Sequence, residues 1–95
     1  MDDIDATREL ALAEAAAVPF RWMERPSNDS YTPCIYETVN GWRVSTTDER
    51  AKEESVHDYV DRPAAVNDFV SRVQGFVRYR ESRKRLQGHW PWRHM

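Results

Sequence analysis

The chain has 95 residues, 40% of them hydrophobic, and a formal net charge of −2. Such a length suits one small domain with a modest core and excludes two. No run approaches the ~20 apolar residues of a membrane helix. The acidic start, Met1-Asp2-Asp3-Ile4-Asp5, lacks the basic-then-apolar order of a secretory signal.

The only cysteine, Cys34, excludes an internal disulfide and a cysteine-rich zinc site, and suits a reducing, cytoplasmic setting. Charge is distributed unevenly. Residues 1–61 carry −8 and residues 62–95 carry +6. A chain polarised in this way offers partners two different surfaces, unless its halves pair with each other across the fold.

Residues 5–18 are dominated by strong helix formers, with Asp5 as the expected N-cap and Pro19 as the stop. The many alanines of this helix predict close packing against something flat, such as a sheet. Phe20 to Met23 reads as a short strand, and residues 25–30 as a loop by composition. Tyr31 to Thr38 is rich in β-branched and aromatic residues and predicts a strand, with Pro33 at an edge or outside the ladder.

Asn40-Gly41 is the strongest short-range hairpin signal in the chain, and Trp42 to Thr47 is the return strand. Two registers can be weighed. A two-residue turn at Asn40-Gly41 puts Glu37 opposite Val44, on an apolar face where a carboxylate is costly. A three-residue loop pairs Thr38 with Trp42, Glu37 with Arg43 and Tyr36 with Val44. It gathers Cys34, Tyr36, Trp42 and Val44 on the core face and leaves Glu37–Arg43 as an outer ion pair. The second register is the expected one, with Trp42 in the core rather than at an interface.

Residues 48–55 are polar and charged and read as a loop or irregular turn. Val56 to Val60 alternates and predicts a further strand. A long helix follows, capped by Asp61 or Arg62, with Pro63 in its first turn. Val66, Phe69, Val70, Val73, Phe76 and Val77 form its apolar stripe. Continued one turn, that stripe would use Arg80 and Lys84, so its core-facing part should end near Val77. Gly88 and Pro91 end regular structure.

Together these elements predict an α+β fold: an N-terminal helix, a small antiparallel sheet built on the hairpin, and a long C-terminal helix. One domain over residues 1–85 is expected, followed by an aromatic, basic tail over residues 86–95.

Catalytic chemistry finds little support. His57, His89 and His94 lack the spacing of a helical zinc pair. Cys34 lies in a predicted strand, where a free thiol is usually a small buried hydrophobe. The three glycines do not form a phosphate loop. Neither an enzyme nor a metal or other cofactor is expected.

Two charged segments remain. The first runs from Asp48 to Asp61 and could dock on a basic protein surface. The second is Arg78, Arg80, Arg83, Lys84 and Arg85, with Tyr79 and Trp90 nearby, which could meet phosphates.

The stretch Tyr36-Glu37, then Asn40-Gly41-Trp42-Arg43-Val44 and Thr46-Thr47-Asp48-Glu49-Arg50, resembles small bacterial immunity proteins of polymorphic-toxin systems. The segment Asp61-Arg62-Pro63-Ala64-Ala65-Val66-Asn67-Asp68-Phe69-Val70-Ser71-Arg72-Val73 resembles their final helix. Members of that group often place glycine after the Arg; here the residue is Ala51. The resemblance spans about residues 31–77. It implies a protein that binds and neutralises one cognate toxin or effector domain without catalysis.

The contact residues expected on this reading are Asp48, Glu49, Arg50, Glu53, Glu54 and Asp58. The alternative is a small nucleic-acid-binding or regulatory protein, with a phage origin one source, working through Arg78, Arg80, Arg83, Lys84 and Arg85.

Overall fold

The computed structural model describes the backbone of residues 1–88 and the side chains of residues 1–83. The predicted tail lies outside these from His89 onward. Two helices and four strands follow in the order α1 (Asp3–Ala15), β1 (Arg21–Trp22), β2 (Pro33–Thr38), β3 (Gly41–Thr47), β4 (Glu53–Tyr59) and α2 (Arg62–Gly88). The fold is α+β, as expected. The four strands form one sheet in the order β1-β2-β3-β4. It is mixed, because β1 runs parallel to β2 while the other pairs are antiparallel.

α1 begins earlier than predicted. Asp2, rather than Asp5, is the cap, and its carboxylate accepts the Asp5 amide at 2.9 Å. The helix ends at Ala15, and Ala17 (φ 57°) turns the chain. Its buried residues, Ala6, Leu10 and Ala13, face α2 and not the sheet. Small side chains let two helices approach closely as readily as they let a helix meet a sheet. α2 is the central element, touching α1 and strands β2, β3 and β4.

The hairpin register differs from both considered. Thr38 pairs with Gly41, Glu37 with Trp42, Tyr36 with Arg43 and Ile35 with Val44. The loop residues are Val39 and Asn40, neither of which has positive φ, and Gly41 (φ 145°) opens β3. A Cβ on Gly41 would lie 2.2 Å from the Tyr59 carbonyl oxygen. Glycine is thus needed here less for the turn than for the close approach of β4.

Side chains alternate across a strand, so Ile35, Trp42 and Val44 face the helices. Cys34 and Tyr36 face the opposite side, against expectation, together with Arg43, which was expected there. Glu37 shares Ile35's face but stays exposed at the end of the sheet, which removes the desolvation cost that argued against that arrangement. The expected Glu37–Arg43 pair is not formed; Arg43 binds Asp58 instead.

The core joins Ile35 and Val44 to Ala65, Val66, Phe69, Val70 and Val73 of α2. Phe20 and Trp22 pack on the Phe69 ring at centroid distances of 6.2 and 5.8 Å. Trp42 is half-buried against this core, with the Arg62 guanidinium 4.9 Å above its ring.

The far face of the sheet is covered by the β1–β2 connection. Arg21 donates to the Arg25 carbonyl and to the Asp29 carboxylate, at 2.9 and 2.8 Å. The Thr47 hydroxyl donates to the Asp29 carbonyl (2.7 Å) and accepts from the Thr32 amide (2.8 Å). Arg25 lies over Tyr36 at 5.0 Å. Beneath this connection Cys34 is buried, as predicted. Burial, together with the nearby Glu53 and Asp29 carboxylates, pushes its thiol pKa up to about 11 against the lowering effect of Arg21.

Candidate functional site

Strand β4 ends the sheet, and six of its seven residues are exposed. Its outer edge has no strand partner among the described residues. It is longer than expected, because it takes in Glu53, Glu54 and Ser55 from the predicted loop. The strand is interrupted once. Its register with β3 shifts between Val44 and Thr46, opposite Ser55, whose φ is 51°. A bulge of this kind twists an edge and breaks the ladder locally, leaving two regular stretches on either side.

The six acidic-surface residues converge on this edge and on the turn leading into it, but they do different work. Asp48 builds the turn. One of its carboxylate oxygens accepts the Arg50 and Lys52 amides at 2.8 and 2.9 Å. Its own amide donates to the Lys52 carbonyl at 2.8 Å, and Ala51 takes a left-handed φ of 64°.

Glu53 accepts the Tyr36 hydroxyl at 2.6 Å. Burial and this bond together hold Tyr36 above its ordinary pKa. Asp58 takes a two-pronged contact from Arg43 at 2.7 and 3.1 Å, and these bonds hold its carboxyl below the usual range. Glu49, Arg50 and Glu54 are exposed and make no side-chain hydrogen bond or ion pair among the described residues. Of the six residues, Glu49, Arg50 and Glu54 are therefore free to meet a partner, as is the exposed Lys52 of the same turn.

What holds β4 down was not foreseen. Asp68 of α2 accepts the Tyr59 hydroxyl at 2.7 Å and Arg72 at 2.9 Å, and lies 3.5 Å from His57 Nδ1. Arg72 also donates to the Thr46 hydroxyl (3.0 Å) and the Ser55 carbonyl (2.7 Å). Burial pushes the Asp68 carboxyl up, but the bonds from Arg72 and Tyr59 outweigh it and hold it below the usual range. The sequence signal for this cluster was the i, i+4 spacing of Asp68 and Arg72, an acid before a base on a helix.

The basic residues lie elsewhere, along the end of α2. Arg78, Arg80 and Arg83 are exposed and have no carboxylate partner among the described residues. Arg80 donates to the Ala16 and Ala17 carbonyls at 2.9 and 2.6 Å, satisfying the end of α1. Lys84 and Arg85 continue the helix; their side chains lie outside the described residues.

Among the described residues no group of three or more His, Cys, Asp or Glu could hold a metal, and no helix is long and apolar enough to cross a membrane. A scan against protein-family models and searches of curated proteins and solved structures found no match.

Proposed function

We propose that this chain is a non-catalytic binding protein of the immunity type, which neutralises a cognate toxin or effector domain in the cytoplasm. Its acidic edge, β4 with the 48–52 turn, docks on a basic surface of that domain. The observation that supports this reading is a seven-residue edge strand, six of its residues exposed and without a strand partner among the described residues, with exposed carboxylates at Glu49 and Glu54 that form no ion pair there.

An extended partner segment could add to the regular half of β4 after the bulge, using main-chain hydrogen bonds for affinity. The carboxylates would then select a basic partner and speed its approach. Of the six residues, Glu49, Arg50 and Glu54 would touch the partner, while Asp48, Glu53 and Asp58 shape the surface.

The test is co-purification with the product of the neighbouring gene, repeated with the double variant Glu49→Lys/Glu54→Lys. Loss of the complex with an unchanged circular dichroism spectrum is expected. Retention of the complex by the double variant contradicts the surface assignment. Growth inhibition by the toxin that this chain does not relieve contradicts the function.

A further inference from the structure

A second surface, independent of the β4 edge, lies where the end of α2 passes the α1–β1 turn and the β1–β2 connection. An open groove of about 890 Å³ runs between them. Val18, Pro19 and Phe76 line it, with Tyr31 and Tyr79 beside them and Arg80 and Arg83 supplying charge. Among the described residues no carboxylate lines it.

Both tyrosines are well exposed, Tyr31 at 55% and Tyr79 at 63%. Tyr31 is also held at φ 52°, with its amide donating to the Asp48 carbonyl at 3.3 Å. A bulky aromatic residue is an outlier in that conformation, and backbone strain of this kind clusters at ligand sites. The Arg83 guanidinium lies 6.0 Å from the centre of the Tyr79 ring, so a cation and an aromatic face are presented together.

We propose that this groove binds single-stranded nucleic acid, with bases stacking on Tyr31 and Tyr79 and phosphates meeting Arg80 and Arg83. Aromatic faces interleaved with cations in an open channel are what sequence-tolerant single-strand binding requires. A closed duplex hides its base faces and cannot use the tyrosines. An acidic peptide could use the arginines but would leave both aromatic faces without a planar partner. Arg80 and Arg83 stand about one turn apart on α2, which suits successive phosphates of a polymer better than a single anion.

The test is fluorescence anisotropy of the full chain with a labelled oligothymidylate. Unlabelled duplex, a poly-glutamate peptide and free thymidine monophosphate serve as competitors. Binding at low ionic strength is expected, with log affinity falling against log salt at a slope of about −1.4 for two neutralised phosphates. Tyr31→Ala and Tyr79→Ala should each weaken it about tenfold, while Tyr79→Phe retains it. Arg83→Gln should flatten the slope by about 0.7.

The exposed tyrosines can be removed without opening the core, and circular dichroism verifies the fold of each variant. Absence of binding at low salt overturns the proposal. So does displacement by poly-glutamate, duplex or the free nucleotide as effective as by the strand, or indifference to both alanine variants. Glu49→Lys/Glu54→Lys leaves the tyrosine dependence unchanged, so failure here and failure of the docking edge are distinguishable.

Discussion

The β2–β3 hairpin and strand β4 belong to one sheet but are held in place by different physics. The hairpin is fixed by burial. Ile35 and Val44 are completely buried under α2, and Cys34, Ser45 and Thr47 are closed off under the β1–β2 connection. β4 has no buried residue. Apart from its ladder with β3 and the Tyr59 ring at the margin of the core, it is tied by polar groups: Asp68 and Arg72 on the helix side, Arg43 and Tyr36 on the other. Apolar burial is indifferent to pH and salt, whereas charge-assisted bonds respond to both. The edge open to a partner is therefore also the conditionally attached part of the sheet.

The widest separation between the two regions comes from Phe69→Ala. It empties the space against Phe20, Trp22 and the hairpin, and costs about 3–5 kcal/mol by urea titration. The loss is global, because that core serves the whole domain.

Asp68→Asn acts more locally. Losing the charge and one of the two oxygens that accept from Tyr59 and Arg72, with an NH2 donor in its place, costs about 2 kcal/mol at neutral pH. The same group sets an acid response. Its folded carboxyl titrates below the unfolded value near ~3.9, so its contribution is complete above that value and is lost as pH falls through it toward the folded one. Asp58 has the same sign. Thermal melts should therefore show stability falling below about pH 4, with a weaker fall in Asp68→Asn.

Gly41→Ala strikes the junction of the two regions. The new methyl meets the Tyr59 carbonyl, and alanine disfavours φ 145°. A loss above about 1 kcal/mol is expected in chemical denaturation. Smallest is Ala51→Gly, which relieves the left-handed residue in the 48–52 turn. It should stabilise by less than about 1 kcal/mol and raise the melting temperature slightly.

Much of the fold could be read from periodicity. The apolar stripe of α2 placed Val66, Phe69, Val70 and Val73 in the core, and all four are buried. Pro33 is the first residue of β2, but it pairs with Thr46 within the ladder of an inner strand, where an edge or a place outside the ladder was expected. The hairpin existed where Asn40-Gly41 marked it, but its register was not legible. Gly41 answers to Tyr59, eighteen positions away in sequence, and no local turn rule contains that contact.

The acidic residues were likewise visible as a run. Which of them are occupied depends on Tyr36, Arg43 and the turn amides, and that is decided only by the cross-strand register. The cluster at Asp68 combines an ordinary i, i+4 spacing with two residues from β4, so half of it was hidden until the strand found the helix.

Native-state amide exchange followed by NMR tests the contrast between the two regions most directly. Protection factors should be highest in β2, β3 and residues 65–73 of α2. They should be distinctly lower in β4, and Asp68→Asn should reduce β4 protection while leaving the hairpin nearly unchanged. Equal protection of β4 and β2, or a uniform loss across the sheet in Asp68→Asn, would contradict a polar-clamped edge on an apolar-held hairpin.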